Sequence, residues 1–298
     1  MRKQIFLIFI FLLISSFAYA QQYQEIKSEH FILFYNHAAE TGNPKDSFGN
    51  IIEAENFSKD VLRKAELYYE RIAEDLGYQR TSGFWTWDNR VKVYLCPNHD
   101  EFVKFSNHPA WAGGAADYDT RTIMSYFGSK DFADTILPHE IAHLIFRDFV
   151  GFKGVIPLWL DEGVAQWTEE TKRQKVKKLA QEMFLNNGLL TMNDMMKFPI
   201  NDITNEESVY IRPTRTRTGE DGVLFLTGDN FIAAYYVEAV SLVGFLIEKF
   251  GKAEFTNFCR ALRDGKNVEE ALTTVYSTYI RSLADFEKQW RAYIENDT

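Results

Sequence analysis

Cysteine is scarce in this chain. Only Cys96 and Cys259 occur in 298 residues, far apart in sequence. One ends a predicted strand and the other lies inside a predicted late helix, so buried free thiols are the expectation, with a bridge left open. Basic charge is also in deficit. Lys and Arg number 33 against 42 Asp and Glu, giving a formal charge of −9 and a pI near 5.3. An acidic balance argues against nucleic acid or an anionic membrane surface as partner. No internal repeat and no low-complexity linker is visible. Past the N-terminus nothing approaches eighteen consecutive apolar residues, which argues against a stable membrane anchor. Histidine is rare too, with six in the chain. What is abundant is apolar and aromatic material, 46% and 15%, ample for a large core in one or two domains.

The first twenty residues read as a secretory signal. Arg2 and Lys3 are followed by the apolar run Ile5 to Ile14 and by Ala18-Tyr19-Ala20, a small-x-small cleavage pattern. The mature chain is expected to begin at Gln21 and to be exported to the periplasm or outside the cell.

The chain is organised around His139-Glu140-Ile141-Ala142-His143. On a helix, residues four apart lie on one face, so both imidazoles can point at one metal ion. Glu140 is about a third of a turn from His139, placed to reach the attacking water without being a ligand. Eighteen residues after His143 comes Glu162, inside Trp159-Leu160-Asp161-Glu162-Gly163-Val164-Ala165-Gln166-Trp167. The gap holds the end of the first helix, Gly151, Gly154 and then Pro157 near the start of a second helix, which turns the chain back. Two histidines and a glutamate leave a fourth zinc position open, as a catalytic site needs.

HEIAH, eighteen residues and the Glu of WLDEG together resemble the gluzincin metallopeptidases, most closely the bacterial peptidase MA-like group. The resemblance implies one zinc ion per chain held by His139, His143 and Glu162, with Glu140 as general base. It implies a zincin-like fold, with the zinc in a cleft between two lobes of one peptidase domain over 21–298, and a peptide or protein substrate. The group's pattern also has a tyrosine where Tyr236 stands, followed by small residues and a serine, as Ala239 and Ser241 follow here. Tyr236 is therefore the candidate donor to the oxyanion, with a core role the alternative for it and for Tyr235. Gln166, one turn after Glu162, is a candidate partner of a ligand histidine.

Hydropathy patterning predicts an α+β fold. Strands are expected over 29–35, 90–95 and 121–126, with helices over about 51–76 and 99–105, making a small mixed sheet lobe to about residue 150. A helix near 132–149 closes that lobe, and a mainly helical lobe follows over about 151–298, with helices near 158–171, onward to 186, 231–250, 254–263, 268–276 and 283–294. The stretch 192–229 reads as the least regular. Ala112-Gly113-Gly114-Ala115-Ala116 lets backbone approach closely. It reads as a loop feeding the next strand, or as the lead into an edge strand, 122–126, that pairs with extended substrate. Phe84-Trp85-Thr86-Trp87 reads as an exposed aromatic loop or a packing cluster. Lys172 to Lys178 reads as a solvated basic face. Arg212, Arg215 and Arg217 read as loop charge, or as a clamp for a substrate carboxylate.

The function expected is hydrolysis of peptide bonds by an exported zinc metallopeptidase. The rival is a catalytically silent zinc-containing binding or scaffold protein. An intact Glu140 weighs against the rival, because a purely structural site has no use for that carboxylate.

Overall fold

The computed structural model describes residues 23–36, 53–78, 85–106, 112–129, 132–151, 156–197, 209–215 and 219–296. The expected signal segment 1–20, the polar loop with Gly42, Pro44 and Gly49, and Phe84, Gly154 and Arg217 lie outside these residues. Contacts divide the chain into two units, Met1–Tyr68 with Gly83–Glu140, and Tyr69–Ser82 with Ile141–Thr298. The class is α+β, with ten α-helices and seven strands among the described residues.

The first unit is built on a five-stranded sheet. Its strands are β1 (Gln24–Lys27), β2 (Phe31–Tyr35), β3 (Val91–Cys96), β4 (Gly114–Asp117) and β5 (Thr122–Tyr126), in the order β1-β2-β3-β5-β4. The three inner strands run parallel and the two outer ones are antiparallel to their neighbours. Helix α1 (Ala54–Asp75) connects β2 to β3, and α2 (His99–Ser106) leads from β3 towards β4. Alternation explains the legible strands: Phe31, Leu33 and Tyr35 are buried, as are Val91, Val93 and Leu95, each set on one face. The opposite face carries a second core, in which Cys96, Phe102, Ala112, Ala115 and Met124 pack together under α2. His30 ties α1 to the sheet, its backbone N–H donating to Glu66 Oε1 at 2.9 Å while its Nδ1 meets Oε2 at 2.7 Å.

Two expectations change here. The strand 122–126 is not an edge: β5 is flanked by β3 and β4, and its first four residues are buried. The edge is β4, the small-residue stretch itself. Its glycines do serve close approach, since a Cβ on Gly113 or Gly114 would sit 2.9 or 2.8 Å from the Ile136 side chain. The aromatic stretch is divided in its roles. Trp85 is wholly buried, edge-on to Phe31 at 5.5 Å, whereas Trp87 is 79% exposed.

A π-helical turn (Phe132–Ile136) leads into α3 (Leu137–Val150), along which the unit boundary falls. The second unit then holds α4 (Leu158–Trp167), α5 (Glu170–Leu185), α6 (Met192–Lys197), a hairpin of β6 (Val209–Arg215) and β7 (Asp221–Thr227), and α7 (Gly228–Phe250). It closes with α8 (Lys252–Arg263), α9 (Val268–Val275) and α10 (Leu283–Asn296). The helix expected over 158–171 is two. Thr168 turns its hydroxyl onto Ala165 O at 2.7 Å, and Glu169 is extended ahead of α5. The stretch read as irregular contains the hairpin, whose outer face exposes Val209, Ile211, Val223 and Phe225.

Helix α7 is the spine of this unit. Thr227 caps it by accepting from Asn230 N, and Gly251 at φ 91° ends it. It is long and apolar enough to cross a membrane, but 72% of its apolar window is buried within the protein, the mark of a core helix. Helix α4 lies on α7 through one glycine from each. A Cβ on Gly163 would stand 2.4 Å from Ala239 O, and one on Gly244 would stand 2.6 Å from the Trp167 ring. The basic run on α5 is more than a solvated face: Arg173 pairs with Asp75 at 2.8 Å and lies 4.4 Å from the Trp167 ring centre. Both cysteines are buried free thiols. Burial pushes the thiol of Cys259 up to about 12 and that of Cys96 to about 11, so both stay protonated.

Candidate metal centre

His139 and His143 stand one turn apart on α3, and Glu162 comes from the first turn and a half of α4. One ligand atom from each of the three lies within 4.8 Å of the others. His143 is buried, while His139, Glu140 and Glu162 are half-buried. Two features of the sequence produce this placement. Pro138 falls where the π-helical turn passes into α3, and it offers no N–H to the carbonyls of that preceding turn. Pro157 precedes Leu158 with φ −65° and starts α4 so that its carbonyl accepts from Leu160 N and Asp161 N. Gly163 then lets α4 settle against α7, which fixes the neighbouring Glu162.

A partner of His143 is Asp161, on the same helix as Gln166. Nδ1 of His143 lies 2.9 Å from Asp161 Oδ1. An ionised carboxylate only accepts, so Nδ1 carries the proton and Nε2 keeps its lone pair. That Nε2 is 3.8 Å from Glu162 Oε1. Arg147, one turn after His143, closes the set: its Nε donates to both Asp161 oxygens at 3.3 and 3.2 Å, and a terminal amine joins Oδ2. Burial alone would push the Asp161 carboxyl up. His143 and Arg147 outweigh that and hold it below the usual carboxylate range. Sequence reasoning missed Asp161 and Arg147, although an acid directly before Glu162 was a visible signal.

Glu140 faces another residue of the first unit. Tyr118, in the turn from β4 to β5, donates its hydroxyl to Glu140 Oε2 at 3.3 Å. This contact too went unread in the sequence.

Tyr235 and Tyr236 part company, and Tyr210 is engaged elsewhere. Tyr235 is buried and donates its hydroxyl to Met195 O at 3.2 Å, so it is a core aromatic. Tyr210 donates to Asp194 Oδ2 at 2.6 Å. Tyr236 is half-buried and feels Glu162: burial first, then the charge of Glu162, push its hydroxyl up to about 12. Of the arginines considered as clamps, Arg212 donates to Leu189 O at 2.7 Å and Arg215 pairs with Asp221 at 3.3 Å. Both are thereby engaged within the chain.

Searched against protein-family models and against curated proteins, the chain matches none. The chemistry of the centre therefore rests on its own residues. Two imidazoles and one carboxylate converge, and one imidazole is oriented by a buried acid. That donor set fits zinc, with the carboxylate–histidine support usual around such ions.

Proposed function

We propose that the protein is an exported zinc metallopeptidase with a zincin-like fold, acting on peptide or protein substrates. The observation that carries the reading is the His139, His143 and Glu162 cluster with Glu140 beside it and outside the ligand set. In this reading those three residues hold the ion. When bound, zinc supplies Lewis acidity towards a carbonyl oxygen and brings the pKa of water to about 7. Glu140 takes the proton of the attacking water on a carboxylate oxygen and later delivers it to the departing amine. Tyr236, with its hydroxyl protonated throughout the physiological range, donates a hydrogen bond to the oxygen on which charge develops. The outer edge of β4 offers an extended peptide a strand to pair with. Export is supported by the N-terminal pattern alone.

The test is Glu140→Gln. The amide keeps the shape, so zinc content and melting temperature should hold while kcat/KM on a cleaved peptide falls by about 10³-fold or more, since one group serves both proton transfers. A variant that holds zinc and cleaves at the wild-type rate would remove Glu140 as base. A wild type that cleaves nothing across a broad peptide library, with zinc supplied, would favour the scaffold reading.

A further inference from the structure

Tyr118 has no place in the metal motif, yet its hydroxyl reaches the one carboxylate on which the reaction depends. The turn that carries it is fixed several times over. Asp117 Oδ1 accepts from Asp119 N and Thr120 N at 3.0 and 3.1 Å. The Thr120 hydroxyl meets that of Thr122 at 3.0 Å, and Arg121 N returns to Tyr118 O at 3.4 Å. Arg121 O is in turn held by Lys92 N on β3 at 3.0 Å. Arg121 itself sits at φ 50°, a left-handed conformation that a long side chain adopts only when its surroundings impose it. The tightness extends upstream, where Gly113 and Gly114 seat β4 against Ile136, one residue before α3 begins. The strand and the turn together therefore set Tyr118 against Glu140.

Resting on the peptidase reading, we propose that Tyr118 is a positioning residue for Glu140. A carboxylate on a half-buried helix position can rotate about its side-chain torsions, and each rotation takes its free oxygen away from the attacking water. A hydrogen bond from Tyr118 to Oε2 selects one rotamer and leaves Oε1 to take the proton. A small misplacement of a reacting group can cost about a hundredfold in rate, so the hold has measurable weight. Tyr118 touches the base and acts through it, whereas Tyr236 is proposed to touch the substrate.

The experiment pairs kinetics with a stability cycle. Tyr118→Phe in the zinc-loaded protein should lower kcat about ten- to a hundredfold with KM and zinc content unchanged. In the metal-free protein, Tyr118→Phe, Glu140→Ala and the double variant should shift the melting temperature non-additively, because the two side chains share one hydrogen bond. A cleaving wild type whose Tyr118→Phe variant keeps kcat overturns the positioning role alone, whatever the cycle shows. Additive melting shifts overturn it as well, since the contact is then absent. A wild type that cleaves nothing while the cycle shows coupling overturns the peptidase reading, and with it the positioning role, leaving Tyr118 as a structural neighbour of Glu140.

Discussion

Asp161 on α4 and Glu238 on α7 are both buried acids of the second unit, on helices that touch where Gly163 meets Ala239. Burial pushes both carboxyls up, but the outcomes differ. Asp161 has His143 on one oxygen and Arg147 on both, and ends below the ordinary range. Among the described residues Glu238 accepts only from Leu190 N, at 2.7 Å, and its second oxygen meets no hydrogen-bond donor. It is pushed up to about 8: burial dominates and Glu287 adds to it, against the pull of the Leu190 N–H, Arg291 and Arg212. Partners, not depth, decide whether a buried acid keeps its charge. The charged one serves a histidine at the candidate metal centre. The neutral one anchors the backbone between α5 and α6, where Arg291 also donates to Leu190 O at 2.9 Å and Arg212 to Leu189 O.

The largest way to break this contrast is through pH. Below 4.5, the ordinary value for the Glu238 carboxyl, it is protonated folded and unfolded alike. Between 4.5 and about 8 the unfolded chain releases the proton while the folded chain keeps it, so stability falls as pH rises. The slope is at most about 1.4 kcal/mol per pH unit, and the loss, on the order of 5 kcal/mol, is complete once the folded group ionises. Glu238→Gln cannot ionise and still accepts from Leu190 N. Denaturant unfolding from pH 5 to 8 should show a shallower decline in the variant, which overtakes the wild type towards pH 8. Parallel curves would mean that Glu238 is charged in the folded protein, and the contrast with Asp161 would disappear.

Gly163→Ala attacks the contact that joins the two acids. Its Cβ would meet backbone, the Ala239 carbonyl, which cannot swing aside. Overpacking of this kind costs about 3 kcal/mol, and relief requires α4 to lift from α7, disturbing Glu162 on the residue before. A lowered melting temperature with weakened zinc binding is the expected pair of results. An alanine accepted without loss of either would show that the helices do not approach so closely.

The sequence patterns told different parts of this molecule with unequal clarity. Strand β2 was legible as a short run of branched and aromatic residues and β3 by its alternation, and α3, α4 and α7 because apolar residues repeat at helical spacing. Strand β1, Gln24–Lys27, is largely exposed and polar and leaves no alternation to read. Strand β4, Gly114–Asp117, consists of small residues chosen for close approach, which look like loop. The hairpin was hidden by Pro213 and Gly222, although Val209, Ile211, Val223 and Phe225 do alternate with their neighbours. At the candidate site, a single helix turn sets the spacing of the two histidines, so they are readable. Tyr118 is not, because a turn in the sheet brings it to Glu140 across 22 residues.

The smallest of these effects, and the one that most sharpens the contrast, is expected from Asp161→Asn. The wild-type carboxylate satisfies donors from His143 and Arg147 at once. An amide offers one acceptor oxygen and an NH₂ that faces a donor wherever it turns. If Arg147 keeps the oxygen, His143 must move its proton to Nε2, and the lone pair it would offer a metal is lost. If His143 keeps it, Arg147 is left without its partner. Arg147 has 31% of its side chain exposed, against 2% for His143, so the arginine can turn to water and the histidine cannot. The amide oxygen should therefore stay with His143, as a weaker acceptor than a carboxylate. Zinc affinity should fall about tenfold, the low end of the 10–100-fold typical for such supporting acids. Competition with a chelator of known strength measures this directly, and the melting temperature of the metal-free variant reports the cost at Arg147. Affinity within twofold of wild type would show that Asp161 serves Arg147 alone, and that its charge is retained for packing α3 against α4 and not for the histidine.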